Sequence, residues 1–112
     1  MVELAFEIID WSGHTVQLEL DRWERHICEK HGEVEPFLEV IKDVIQNPSI
    51  VTLDIGNAWH LCRFGAIPNL SHLYLEIVIK YEQHSDELIG DVKTVHVNRM
   101  PPRGELKKWI NM

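Results

Sequence analysis

The sequence predicts one α+β domain: an antiparallel sheet with two helices from the N-terminal half of the chain packed on one face. Three observations carry this. Apolar residues alternate with period two at the start of the chain and through much of its second half, and they recur at spacings of three and four between residues 21 and 47. The connections are also short enough to favour antiparallel neighbours. A length of 112 residues suits one ordinary domain, divided into an N-terminal hairpin at 1–20, helices at 21–47 and a C-terminal sheet at 49–112.

In the first strand Val2, Leu4, Phe6 and Ile8 share one side, with Glu3 and Glu7 on the other. In the second, Val16, Leu18 and Leu20 oppose Thr15, Gln17 and Glu19. Asp10, Trp11, Ser12 and Gly13 between them supply turn residues, which makes the pair a β-hairpin. Asp21 stands as an N-cap with Glu24 three positions later, a capping-box arrangement. Residues 22–31 then read as a helix, with Leu20, Trp23 and Ile27 in its apolar stripe and Gly32 at its stop. Pro36 suits the first turn of a second helix, in which Phe37, Leu38, Ile41, Val44 and Ile45 recur before Asn47 and Pro48 end it. Strands follow at 49–55, 73–81 and 91–98, with a weaker one at 105–110 where a short terminal helix is the alternative. Residues 56–71, with Gly56, Gly65, Pro68 and Asn69, read as a loop or a ragged strand pair.

The chain has 18 acidic and 11 basic residues, a net charge of −7. That argues against a protein that grips nucleic acid or an anionic membrane over its whole surface. The charge is uneven, however: residues 1–92 hold six basic and 17 acidic residues, whereas Lys93, Arg99, Arg103, Lys107 and Lys108 face only Glu105 in the last twenty. Such a basic segment fits an anion site, or a tail that neutralises acidic helices. No apolar run approaches membrane-spanning length, and the acidic start of the chain does not look like a signal peptide. Cys28 and Cys62 do not make a disulfide framework. The expectation is a reduced, cytoplasmic protein with no membrane partner.

Seven histidines in so short a chain put proton chemistry near neutral pH within reach. In the late strands Tyr74, Glu76 and Lys80 alternate with Leu75, Ile77 and Ile79, while Thr94 and His96 alternate with Val95 and Val97. With helices on the apolar side, Tyr74, Glu76, Lys80, Thr94 and His96 share the open face. That set suits phosphate binding and proton transfer, and equally suits an ordinary solvated sheet face. His26 and His31 are five apart. On an ideal helix that is a divergence of about 140°, unlike the i, i+4 pair of a helical zinc motif. Both border the apolar stripe, either as partly buried hydrogen-bonded side chains or at a sheet edge, reaching into a cleft. Cys28, His31, His60 and Cys62 hold the donor types zinc prefers, but the Cys28 spacing matches no familiar knuckle. No metal ligand and no cofactor is assigned. The chain also lacks a Gly-rich phosphate loop, a Ser-His-Asp signature and an HExxH motif.

One resemblance joins several of these residues. Trp23-Glu24-Arg25-His26-Ile27, then His31-Gly32-Glu33-Val34, then a second helix ending near Asn47-Pro48, resembles the front half of the phage-associated PBECR nucleases, a name that groups barnase, EndoU, colicin-type tRNase and RelE-like folds. That family shows a W-x-x-H-I segment and a second histidine, often followed by Pro-Glu where this chain has Gly32-Glu33. The strand Leu73–Lys80, the Val92-Lys93-Thr94 core and the Arg103-Gly104-Glu105 turn also resemble family features, so that the likeness runs over residues 20–110. His96 departs from it, standing where the family often has an aromatic residue.

The resemblance implies a BECR-like fold and a metal-independent endoribonuclease, toxin-like or phage-derived, that cleaves RNA by 2′-hydroxyl transesterification. It implies RNA as the partner (tRNA, mRNA or ribosome-bound), together with a cognate antitoxin or immunity protein. By position His26 and His31 become acid, base or phosphate ligands, and Lys80 and Thr94 become transition-state contacts. The strand pattern and the basic segment add His96, Arg99 and Arg103 as further phosphate or proton-transfer groups. The net charge supports a second expectation: a non-enzymatic binding module, either an inactive nuclease-like fold or an acidic immunity or antitoxin protein.

Overall fold

Alternating strands and two amphipathic helices assemble as expected into an α+β domain, with one seven-stranded sheet in the order β1-β2-β6-β5-β4-β3-β7. The computed structural model describes residues 2–53, 58–64, 73–99 and 105–109. The strands are β1 (Leu4–Ile9), β2 (Thr15–Glu19), β3 (Ile50–Leu53), β4 (Ala58–Phe64), β5 (Tyr74–His84), β6 (Glu87–Asn98) and β7 (Glu105–Trp109). β4 occupies part of the segment read from sequence as a loop or ragged strand pair, and the last segment is a strand rather than a helix. None of the described helices is long and apolar enough to cross a membrane.

The sheet is mixed, which corrects the expectation of an antiparallel one. β2 runs parallel to β6, pairing Thr15 with Ile89, Val16 with Gly90 and Gln17 with Asp91. Every other described ladder is antiparallel. Short connections set the relative direction of consecutive strands only. Between β2 and β6 lie both helices and three strands, so the hairpin enters the sheet beside β6 in the orientation that packing favours.

The first helix follows β2 directly. It is one run over residues 20–30: an α-helical turn (Leu20–Arg22), a π-helical turn (Trp23–Ile27) and another α-helical turn (Cys28–Lys30). Within the wide turn the Cys28 amide donates to the Trp23 carbonyl, and Trp23 and Ile27 are both buried. The helix starts two residues earlier than expected: Glu19 rather than Asp21 stands at its N-cap and makes no side-chain cap bond. Asp21 instead pairs with Arg25 across one turn at 3.2 Å. A 3₁₀ turn (Gly32–Phe37), containing Pro36, leads into the second helix (Leu38–Gln46), whose Ile41, Val44 and Ile45 are buried at the spacing the sequence shows.

The core lies between the helices and one face of the sheet. Val16, Leu18, Ile27, Val34, Ile41, Val44, Ile45, Val51, Leu75, Ile77, Ile79 and Val95 are fully buried there. A β-bulge tunes β6 to this face: Val78 pairs with Thr94 but Ile79 pairs with Val92, leaving Lys93 as the extra residue. Val92 and Val95, three apart, therefore both reach the core.

At the hairpin tip, buried Asp10 accepts hydrogen bonds from the Ser12 amide (2.8 Å), the Ser12 hydroxyl (2.9 Å) and the His14 amide (2.9 Å). The Tyr81 hydroxyl donates to its other oxygen. Burial and this bond push the Tyr81 phenol well above its ordinary value, so it stays a donor. Gly13 closes the turn at φ +91°, which only glycine adopts readily. Gly90 seats the Tyr81 ring: a Cβ there would lie 2.8 Å from both Tyr81 Cε2 and Ile79 Cγ2. Gly90→Ala is therefore expected to cost about 1–3 kcal/mol of stability through overpacking. Gly32→Ala, where a Cβ meets nothing within 4 Å, is expected to change it by less than about 0.5 kcal/mol. Urea denaturation of both variants measures the contrast.

Candidate functional site

The site follows from how far β2 extends. Its pairing with β6 stops at Asp91, and the chain turns helical at Leu20. Arg22 Nη1 donates to the Lys93 carbonyl at 3.4 Å, on the edge of β6 that β2 leaves unpaired. From Arg22 to Lys30 the helix advances about 12 Å, the length of about four strand residues. The helix end thus arrives level with His96 and Asn98. His31 closes its last turn, with its amide bonded to the Ile27 carbonyl at 2.7 Å.

At that point two imidazoles meet. The rings of His31 and His96 have centroids 5.7 Å apart and are tilted by 41°. Behind His96, directly opposite it on β5, stands Glu76. Glu76 Oε1 lies 2.8 Å from His96 Nε2, and Glu76 Oε2 accepts from Asn98 Nδ2 at 3.3 Å. On the other side Glu33 Oε1 is 3.7 Å from His31 Nδ1. The arrangement comprises two rings held by separate elements, one anchored by a direct carboxylate bond and the other beside a looser carboxylate.

The open face read from sequence is thus correct in membership but not in exposure. Tyr74, Glu76, Thr94 and His96 share it through the register Tyr74–Asn98, Glu76–His96 and Val78–Thr94. Glu76, however, is only 5% exposed, between the fully buried Leu75 and Ile77. A carboxylate so placed is stabilised by nearby donors, and here His96 and Asn98 supply them. The hydrogen bond to Glu76 raises the His96 pKa above 6.5, partial burial opposes it, and the charges of Glu76 and Glu33 add to the rise.

The other expected site residues fall differently. Thr94 is half-buried, two residues from His96 on the same face. His26 is exposed on the first helix, and no hydrogen bond or ion pair joins it to the histidine pair among the described residues. Lys80 is exposed opposite Asp91; it lies four residues beyond Glu76, about 13 Å along the strand. The four residues implied by the resemblance therefore do not converge on one point. Arg99 is exposed just past β6, and Arg103 lies outside the described residues. The sequence places Glu76 in the open-face set suited to phosphate binding and proton transfer, but assigns no role to Asn98 or Glu33 and does not show that Glu76 pairs with His96. The one signal for such a pair is Glu76 itself, a charge inside the apolar run Leu73–Ile79.

Among the described residues no group of three or more His, Cys, Asp or Glu side chains is placed to hold a metal. Cys28 and His31 belong to the described residues, whereas the side chains of His60 and Cys62 do not. Burial, then Glu35, then Glu24 raise the Cys28 pKa, which keeps it a thiol and a poor nucleophile. Cys28 lines a groove of about 480 Å³ with Trp23, Glu24, Arg25, Glu29 and Glu35.

No family model, no curated protein and no solved structure matches the chain.

Because the His96 pKa is raised in the folded state, folding binds its proton more tightly. Its contribution to stability is full below the ordinary value of 6.5 and is lost as pH rises through the higher folded-state value. Unfolding free energies measured between about pH 5 and 9 are expected to fall more steeply with pH in the wild type than in His96→Gln, which cannot titrate. Equal slopes would mean that the Glu76–His96 pair is not formed in solution.

Proposed function

We propose that the protein is a metal-independent endoribonuclease, toxin-like or phage-derived, with a BECR-like arrangement of helices and sheet. The observation that carries this reading is the His31–His96 pair, with centroids 5.7 Å apart on two separately anchored elements. Cleavage by transesterification needs a base to take the 2′-hydroxyl proton and an acid to protonate the departing 5′-oxygen. The 2′-oxygen attacks phosphorus, the P–O5′ bond breaks, and a 2′,3′-cyclic phosphate remains on one fragment with a 5′-hydroxyl on the other. Two imidazoles at this separation suit a single phosphodiester held between them. Thr94 supports the same reading as a hydroxyl donor to a phosphate oxygen.

His26, Lys80, Arg99 and Arg103 fit a different role in this scheme: contacts to phosphates along the RNA away from the cleaved bond. Cations outside the reacting centre strengthen binding and its salt dependence more than the chemical step. The basic C-terminal segment suits that task on a chain whose remainder is acidic. A reduced compartment such as the cytoplasm suits an RNA substrate.

Purified protein is expected to cleave at least one of tRNA, mRNA or ribosome-bound mRNA in the presence of EDTA. His31→Gln and His96→Gln are each expected to lower the rate by about 10²- to 10⁴-fold. Lys80→Ala is expected to raise KM with little change in kcat. Intact RNA in all three arms, including the ribosome arm, would contradict the reading.

The groove beside Cys28 favours a second reading. Glu24, Glu29 and Glu35 around Trp23 suit a basic protein partner, as in an immunity or antitoxin role. Capture of a basic partner that is lost in Glu24→Lys/Glu29→Lys, from a protein that leaves RNA intact, would establish it instead.

A further inference from the structure

Glu76 makes the two histidines unequal. It is buried on β5, bonds His96 Nε2 at 2.8 Å and is held on its second oxygen by Asn98. That bond occupies one ring nitrogen of His96 and fixes the ring's orientation. Only Nδ1 is then left to face a substrate. Among the described residues His31 has no comparable anchor: the Glu33 carboxylate oxygen beside it stands 3.7 Å away, beyond hydrogen-bonding distance.

We infer that Glu76 is the positioning residue of the site, that it holds His96 through Nε2 so that Nδ1 is the working nitrogen, and that His96 is the proton donor while His31 is the proton acceptor. This rests on the ribonuclease reading for the identity of the reaction, but not for the geometry. A carboxylate that accepts from one imidazole nitrogen stabilises the protonated ring and fixes which nitrogen exchanges protons with the substrate. Among the described residues, the groups facing His96 are Glu76 from the sheet, His31 at the helix end and Glu33 in the turn that follows it. Both carboxylates among them favour the cation. The proton on Nδ1 therefore passes to the leaving 5′-oxygen, while His31, which no carboxylate anchors through a direct bond among the described residues, takes the proton of the attacking 2′-hydroxyl. The acid and base exchange roles if water later opens the cyclic phosphate.

The assignment explains why a charged residue sits at 5% exposure between two core residues, Leu75 and Ile77. A glutamate placed there for solubility gains nothing from burial, and one placed there for packing would be better replaced by an apolar side chain. His96 and Asn98, its donors among the described residues, are successive residues on the same face of β6, so a single register sets both bonds.

Imidazole ¹⁵N spectra of the intact chain test it without any substrate. In the wild type, His96 is expected to keep its proton on Nε2 when neutral. In Glu76→Gln its proton affinity is expected to fall by at least about tenfold, one pKa unit. The alkaline limb of the cleavage rate, which reports the acid, is expected to move down in pH by the same amount. Glu76→Asp is expected to restore part of both shifts. Should Glu76→Gln fail to fold, the wild-type tautomer and the Asn98→Ala variant, which loosens Glu76 without removing it, decide the matter. A neutral His96 protonated on Nδ1, or a His96 titration unmoved in folded Glu76→Gln, would overturn the positioning role. Wild-type protein that shows the expected spectra but leaves RNA intact would instead overturn the reaction, and the donor and acceptor roles with it.

Discussion

The parallel pairing of β2 with β6 is the constraint on which the rest of the structure depends. A hairpin entering in the opposite sense would send the first helix away from the C-terminal half of β6. Entering as it does, it delivers the helix along the strand edge beyond Asp91, and Arg22 fastens the helix to the Lys93 carbonyl. The bulge at Lys93 serves the same junction. It sends Val92 and Val95 into the core and leaves Thr94 and His96 on the other face, near the helix end. The π-helical turn adds to it by keeping Trp23 and Ile27 both buried before the chain reaches His31. Wide turns of this kind often stand near functional sites, where they shift the register of the next helical turn.

Charge explains the rest of the site. The body of the protein is acidic, and a buried carboxylate within it requires local donors. Glu76 finds them in His96 and Asn98, and in return its carboxylate favours the protonated form of the His96 imidazole. An RNA phosphate approaching an acidic body is repelled over most of it. His96 in its protonated form and the basic C-terminal segment are groups that relieve that repulsion locally. A net charge of −7 is thus compatible with one localised anion site, although it disfavours a broad nucleic-acid surface.

Much of the fold was legible in the sequence because it rests on short-range rules. The hairpin, both helices and the long strands show their periods directly, and the alternation in β5 and β6 placed Glu76, Thr94 and His96 on one face. Four features escaped for the same physical reason: they depend on which distant segments meet. The parallel β2–β6 ladder has no local signature. Asp21 looks like a cap, but packing of Leu20 against the core starts the helix earlier, and Asp21 turns to Arg25. The pairing of Glu76 with His96 requires the β5–β6 register, and the approach of His31 requires the helix to lie along the strand edge. Lys80 illustrates the converse error: sharing a face is not proximity when four strand residues intervene.

The central claim is that a pair of imidazoles, rather than a metal, moves the protons of RNA strand cleavage at this site. The chemistry of the ends tests it most directly. Fragments from an RNA digest in EDTA, analysed by mass spectrometry, are predicted to carry 2′,3′-cyclic phosphates and 5′-hydroxyls. Fragments ending in 3′-hydroxyls and 5′-phosphates would mean that water, not the neighbouring hydroxyl, is the nucleophile, and would contradict the account.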